Sequence, residues 1–272
     1  MVFINFDCSI QFFIESKKTF KLINTVFQNL DLNYDKNLVC TQNSKVIHIR
    51  SFYSELRIYV EQKEFLRCSD IDNETIISAT IDIITDLYHC FVGEWAFFHS
   101  FVVTKNNEAI LLVGPTHQGK TTLGTALTLE GYDYLSDDVA IINDAGELYG
   151  LSLPIKLRKN TILNLETIKQ KYNVLETKNY FFLTPYFSNQ NINIYRPKKV
   201  VFLNRKNSAT RAKIKQIEDY EAIRKLILNA AICDNIIRHS KISKILVQLC
   251  DEIINIDYWS GNDILDTLTL RG

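Results

Sequence analysis

The chain has 272 residues, with 31 Lys+Arg against 31 Asp+Glu, and is 46% hydrophobic and 11% aromatic. That length carries one large domain, or a small one joined to a medium one, with ample chain for a packed core. The even charge excludes a nucleic-acid binder that works by bulk electrostatics and leaves no polybasic membrane patch, while only 9 Gly and 4 Pro exclude collagenous and disordered classes.

In chain order, the opening MVFINFDCSIQFF lacks a basic stretch and does not read as a secretory signal. No later apolar run approaches the roughly 18–20 residues of a membrane span. Residues 1 to about 70 alternate strand-like runs with one helix. VIHIRSF (46–52) and ELRIYV (55–60) are rich in β-branched and aromatic residues and read as strands. Phe20, Ile23, Phe27 and Leu30 fall at helical spacing. A second helix is expected from about Asn73 to Phe91, with Ile77, Ile81, Ile84, Tyr88 and Phe91 on one face and Asp72 or Asn73 as its cap. Together these predict a small α+β N-terminal lobe over residues 1–92, in which no chemistry is legible.

The second domain, 93–272, reads as α/β. WAFFHSFVV (95–103) reads as one strand, KNNE (105–108) as a turn, and AILLVG (109–114) as a strand buried on both faces. KTTLGTALTLEG (120–131) reads as a helix closed by Gly131. YDYLSDDVAIIN leads into a second buried strand, and PIKLR (154–158) is a short one. Residues 172–195 have no clean period, and read either as a lid or acceptor groove or as an ordered packing segment. KKVVFLNR (198–205) reads as a central strand. Two or three helices are expected between 217 and 250, with Ile223, Leu226, Ile227 and Ala230 on one face. The run Arg238-His239-Ser240-Lys241 reads as a solvated helix end. EIINIDY (252–258) is the last strand and 261–270 a closing helix. Cysteines at 8, 40, 68, 90, 233 and 250 form no C-x-x-C pair and stand with no His at zinc spacing, so they read as buried thiols in a reducing cytoplasm.

Six of the 9 glycines (114, 119, 124, 131, 146 and 150) cluster in the middle of the chain, where backbone must turn tightly or approach a ligand. Gly114-Pro115-Thr116-His117-Gln118-Gly119-Lys120-Thr121 satisfies G-x-x-x-x-G-K-[ST], follows a buried strand and opens a helix, and Thr122 extends it. Loop N–H groups can wrap a phosphate, Lys120 can reach β- and γ-phosphate oxygens, and the Thr121 hydroxyl can ligate Mg2+. His117 reads as a tolerated loop residue. Ser136-Asp137-Asp138 follows. Two acids at the edge of a buried strand are costly unless a cation shares the site; otherwise they are a solvated turn. One carboxylate can hold a metal and the other can take a proton from an incoming hydroxyl. If the strands 95–103 and 109–114 are neighbours, His99 lies beside the loop; otherwise it is a core or edge histidine. Arg158, Arg196 and Arg205 are each either surface residues or γ-phosphate contacts, and Arg205 ends a predicted strand.

His99, GPTHQGKTT at 114–122 and GYDYLSDD at 131–138, in that order, resemble the HPr kinase/phosphorylase catalytic domain. The likeness covers about residues 95–160. It implies a P-loop core like that of HPr kinase and phosphoenolpyruvate carboxykinase. It further implies Asp137 as general base on the acceptor hydroxyl, Asp138 at the metal with Thr121, and His99 supporting Asp137. Lys120 and Arg205 would complete the catalytic set. Where the family carries Glu-Ile-Arg-Gly, this chain has Lys156-Leu157-Arg158-Lys159, so a metal-ligating Glu is replaced and phosphorylase activity is not implied. The loop has Thr116-His117 where the family usually has Ser-Gly. The chain is more similar to divergent HPr-kinase-like proteins, some of which phosphorylate a serine on a precursor peptide in peptide-modification pathways.

The expectation is an ATP- and Mg2+-dependent, cytoplasmic kinase that moves a γ-phosphoryl group to a serine hydroxyl of a protein or peptide, with no nucleic-acid or membrane partner. A kinase of small-molecule hydroxyls and a nucleotide-binding regulatory module without turnover are the alternatives. A GTPase is disfavoured, because no N-K-x-D occurs. The oligomeric state, a homo-oligomer included, stays open.

Overall fold

The computed structural model describes residues 2–5, 8–14, 16–27, 44–52, 55–60, 62–68, 72–91, 95–106, 108–151, 153–185, 194–206, 212–231 and 235–258. The chain divides into two compact units, Met1–Gly93 with Tyr172–Ile192, and Glu94–Lys171 with Asn193–Gly272. A single cut at 92/93 therefore does not describe the division, because the 172–192 stretch groups with the first unit.

The first unit begins with β1 (Val2–Asn5), β2 (Cys8–Ile14), α1 (Lys17–Val26), β3 (Ser44–Phe52), β4 (Glu55–Val60), β5 (Lys63–Cys68) and α2 (Asn73–Phe91). The five strands form one sheet in sequence order, parallel between β2 and β3 and antiparallel elsewhere. β4 buries Leu56 and Ile58 on one face, as its period-2 pattern requires. Ser16 caps α1 by accepting from Thr19 N–H at 3.3 Å. Ile23 and Phe27 are buried and Phe20 is half-buried, while Leu30 falls outside the described residues. Asp72 caps α2, accepting from Thr75 N–H at 2.7 Å. Ile77 and Ile84 face the core and Ile81 is half-buried; the side chains of Tyr88 and Phe91 lie outside the described residues.

The second unit runs through β6 (Ala96–Phe98), β7 (Ser100–Lys105), β8 (Glu108–Val113), α3 (Lys120–Leu129), β9 (Asp133–Ser136), β10 (Ala140–Ile142), β11 (Leu148–Tyr149), β12 (Ile155–Arg158) and α4 (Leu165–Lys171). The chain then makes the hairpin β13 (Tyr172–Glu176) and β14 (Tyr180–Pro185) of the first unit. So Tyr172–Pro185 is ordered packing rather than an irregular lid, with Phe182 and Leu183 fully buried. The second unit closes with β15 (Arg196–Arg205), β16 (Lys213–Gln216), α5 (Asp219–Leu228), α6 (Ile236–Leu249) and β17 (Glu252–Tyr258). The expected helix at 261–270, five of the six cysteines (8, 40, 68, 90 and 233) and residues 186–193 lie outside what the structure describes of side chains. Arg238–Lys241 lies in the first two turns of α6 and is not solvated throughout, because His239 is fully buried against Phe98.

The main sheet has the order β16-β17-β15-β8-β7-β9, with β8, β15 and β17 parallel to one another. A smaller sheet, β11-β10-β6, stands beside it in the chain path. The expected single strand 95–103 is two strands. β6 pairs with β10, β7 pairs with β8 and β9, and the change of partner falls at His99. The β9–β10 segment makes the same change at Asp137–Val139. Val102, Leu111, Val113, Val200, Phe202, Leu226 and Leu246 belong to one buried cluster between this sheet and the helices α5 and α6.

α3 packs on β7 through a glycine. A Cβ at Gly124 would stand 2.1 Å from the Phe101 ring. The helix ends as its sequence predicts. Gly131 takes φ +94, its N–H donates to Thr128 O at 3.2 Å, and Tyr132 N–H donates to Leu127 O at 3.2 Å. This is the paired bonding of a left-handed helix stop. The Lys171 ammonium adds bonds to Thr128 O and, at 3.2 Å, to Tyr132 O, a cation where the helix dipole is negative.

Gly124→Ala gains about 1 kcal/mol of helix propensity but drives a methyl into Phe101, an overpacking that costs about 1–3 kcal/mol; denaturant melts are expected to show a net loss. In the first unit, Glu74 clasps the β13–β14 turn. It accepts from Thr177 Oγ1 at 2.8 Å and from Asn179 N at 2.9 Å and Nδ2 at 3.0 Å. Burial raises its carboxyl, but the Asn179 and Thr177 bonds outweigh this and hold it below its ordinary value. The clasp is therefore fully present above the ordinary carboxylate range and is lost as pH falls through the lowered value. Glu74→Gln is expected to cost about 1 kcal/mol at neutral pH, the solvent-screened end of the range for a charged acceptor. Melts repeated in acid should show parent and variant converging.

Candidate active site

The candidate residues meet because of register. In the β7–β8 hairpin Ser100 pairs with Val113, so His99 stands level with Gly114. Across the broken strand, Phe98 pairs with Ala140 and Val102 with Ser136, so His99 is also level with the Asp137–Val139 turn. Ser100 N–H donates to Asp138 O at 3.3 Å, and His99 N–H to Asn229 O at 2.8 Å. His99, the 114–119 loop and the two acids thus share one end of the second unit.

The loop leaves β8 at its C-terminal end, beside the C-terminal ends of β15 and β17, the favoured site position in open α/β sheets. Gly114 is buried, and a Cβ there would lie 2.9 Å from Leu203 O, so the loop hugs β15 only as glycine. Pro115, Thr116 and His117 are exposed, and Gln118 N–H donates to Pro115 O at 3.3 Å. His117 and Gly119 take φ +69 and +75. α3 starts at Lys120, with Thr121 and Thr122 in its first turn. The Lys120 side chain is 5% exposed and folds back to donate to Gly114 O at 2.7 Å and Pro115 O at 3.1 Å. Burial lowers this ammonium below its ordinary value, with Asp138 and Asp137 opposing the fall.

The two acids part company. Asp138 has φ +67, a left-handed turn that throws successive carboxylates to different sides. Asp137 is 7% exposed and accepts from Thr121 Oγ1 at 3.1 Å, from Asp138 N–H at 3.0 Å and from Lys156 N–H at 3.4 Å. Burial drives its carboxyl well above the ordinary value and Asp138 adds to this, while the Thr121 bond pulls it back. The Asp138 side chain is 54% exposed and lies 3.9 Å from His99 Nδ1, which is itself 3.1 Å from Asp138 O. Burial, and after it Lys120, hold the His99 imidazole below its ordinary value, with Asp138 opposing. The proximities in the ligand-free chain differ from the expected pairing. His99 faces Asp138 rather than Asp137, and Asp137 rather than Asp138 shares its surroundings with Thr121.

The arginines separate as well. Arg205 ends β15 beside the loop, and its N–H donates to the Gln118 side-chain oxygen. Arg158 ends β12, the strand whose Lys156 N–H reaches Asp137. Arg196 opens β15 opposite Glu108, at the far end of these strands from the loop, and does not belong to the site. Sequence reasoning missed the Lys156 N–H, the Asn229 carbonyl and Tyr258. Tyr258 ends β17 beside Arg205, and the strand-end argument that selected Arg205 selects it equally.

Thr121 Oγ1 and Asp137 form a pair of hard oxygen donors. Among the described residues no group of three His, Cys, Asp or Glu gathers for a metal. The pair suits an ion that takes few protein ligands and completes its shell with phosphate and water, as Mg2+ does.

No protein-family model matches the sequence, and no curated protein matches it. Among solved structures the chain is similar, distantly, to the HPr(Ser) kinase/phosphatase from Coxiella burnetii. The identity is 13%, over 64% of this chain and 88% of that one, with a TM-score of 0.31. No helix among the described residues is long and apolar enough to cross a membrane.

A buried carboxylate held above its ordinary range favours the fold while it is protonated, and that stability is lost as pH rises through the raised value. In the ligand-free chain, Asp137→Asn keeps an oxygen for Thr121 and removes the buried charge. The variant is expected to melt higher than the parent at alkaline pH by roughly 2–4 °C, the shift that about 1 kcal/mol gives in a large domain. The gap should vanish in acid.

Proposed function

We propose that the chain is an ATP-dependent phosphotransferase that moves a γ-phosphoryl group to a hydroxyl, the acceptor being a serine of a protein or peptide. The observation that supports this most is the meeting of three groups at one end of the unit: the glycine-bounded loop with Lys120, the Thr121–Asp137 pair, and Asp138 beside His99. The motif order, which resembles that of HPr kinase, supports serine as the acceptor.

In this reading the loop N–H groups and the α3 N-terminus bind the phosphates. The Lys120 ammonium exchanges its two carbonyl partners for β- and γ-phosphate oxygens. Thr121 Oγ1 and Asp137 would hold Mg2+, which would supply positive charge against the phosphates and make the buried carboxylate acceptable. Asp137 is buried with its oxygens taken by three donors, so in this reading it does not reach the incoming hydroxyl. Asp138 is exposed and stands beside a neutral His99, and it accepts the proton of the incoming hydroxyl. His99 holds it in place. Transfer is in-line and depends mainly on positioning and charge.

The test compares cells producing the parent chain with cells producing Asp138→Asn. Phosphoserine peptides present with the parent and absent with the variant are expected. Purified Asp138→Asn should bind Mg-ATP within about twofold of the parent yet lose transfer by at least about 100-fold, the scale of removing a general base. A phosphate appearing only on a small metabolite would redirect the acceptor to small hydroxyls. Unchanged transfer by the variant would overturn the assignment of Asp138.

A further inference from the structure

We propose that Tyr258 is a positioning residue for the phosphate loop: its hydroxyl holds the Gln118 carbonyl and so turns the Gly119 N–H toward the phosphates. This rests on the phosphate-binding reading above and adds to it a residue far along the chain, outside the loop motif.

Tyr258 is the last residue of β17 and is 3% exposed. Its O–H donates to Gln118 O. Its own carbonyl accepts from Lys206 N–H at 2.8 Å, which fixes its backbone to the end of β15. Arg205, its register partner on β15, donates its N–H to the Gln118 side-chain oxygen. Gln118 is thus gripped twice, through its main chain by β17 and through its side chain by β15. The loop is anchored to the ends of two parallel strands, not left to its own turn.

The consequence follows from peptide geometry. In a trans peptide the C=O and the next N–H point in opposite directions, and no cis peptide occurs among the described residues. Holding Gln118 C=O down on Tyr258 therefore aims Gly119 N–H away from the strand ends. That N–H has no hydrogen-bond partner among the described residues. It belongs with the open donors that begin α3, which is where an anion is bound. The glycine is needed twice over. Its φ is +75, and a Cβ on it would stand 2.7 Å from the Tyr258 hydroxyl oxygen. Burial pushes the phenol up to about 12, so the hydroxyl remains a donor through the neutral range.

A tyrosine that merely packs could become phenylalanine without any effect on the affinity of the folded chain. A tyrosine that sets a phosphate-binding N–H could not. The experiment measures binding of Mg-ATP, Mg-ADP and pyrophosphate by calorimetry, at a temperature well below unfolding. The full-length parent is compared with Tyr258→Phe, Gln118→Ala and Lys120→Ala, with ligand-free melts for each. Tyr258→Phe is expected to stay folded and to bind all three probes about tenfold more weakly, the effect of one lost bond to a positioned group. In a transfer assay the KM for ATP should rise with kcat within about twofold. If Tyr258→Phe does not fold, Gln118→Ala removes the side-chain grip from Arg205 N–H and leaves the Tyr258 bond in place: affinities within about threefold of the parent are then expected, and a loss of about tenfold would pass the positioning role from Tyr258 to the Arg205 grip. Parent-like affinity in a folded Tyr258→Phe, with Lys120→Ala defective, overturns the role of Tyr258 and leaves the phosphate loop standing. A parent that binds none of the probes sinks both.

Discussion

The second unit depends on a strand that changes partners. Between Ala96 and Lys105 one extended segment serves two sheets, and the transfer occurs at His99. The opposing segment must leave the same sheets at the same level, so its own break, at Asp137–Val139, is dictated by register rather than by the acids themselves. Hairpin pairing with β8 then brings the start of the glycine loop to that level. Three stretches separated by tens of residues are set side by side by backbone hydrogen bonds alone. The side chains inherit an alignment they did not have to create, and a slip of one residue in either pairing would point them to the other face.

On that frame the charges are arranged at some expense to the empty fold. An ammonium that is 5% exposed and a carboxylate that is 7% exposed stand near each other, yet their direct hydrogen bonds go elsewhere. Lys120 turns to carbonyls, and Asp137 turns to a hydroxyl and two N–H groups. Each group is solvated by dipoles rather than by its opposite. On the proposed reading, a site kept in this condition would retain its affinity for an incoming anion and cation together. Direct ion pairing between the two would have satisfied both and left less to offer.

Much of this was legible in the residues. The α2 boundaries, the β4 run at 55–60, the Gly131 helix stop and the last strand at 252–258 follow from period, caps and turn chemistry, and those signals are local. What escaped was set by partners distant in sequence. AFFHSFVV is apolar on both sides because both sheets bury it, and a continuous apolar run carries no mark of where its partner changes. The different surroundings of Asp137, buried, and Asp138, exposed, go with one positive φ at Asp138 that no spacing announces. The hairpin at 172–185 meets the first unit through side-chain bonds to residues far away in sequence, Thr184 to Val26 and Thr177 and Asn179 to Glu74, which carry no periodic signature. A hydroxyl-to-carbonyl contact between Tyr258 and Gln118 leaves no trace in spacing at all.

The contact between Gly124 and Phe101 carries an evolutionary corollary. The strand that bears Phe101 begins one residue after His99, and the helix that bears Gly124 begins with Lys120, so the fit of ring against bare backbone fixes how far apart the imidazole and the ammonium can stand. Positions 101 and 124 are therefore bound to drift as a pair. Descendants of this sequence that acquire bulk on the helix must shed it on the strand, and lineages that keep the aromatic ring will keep the glycine opposite it.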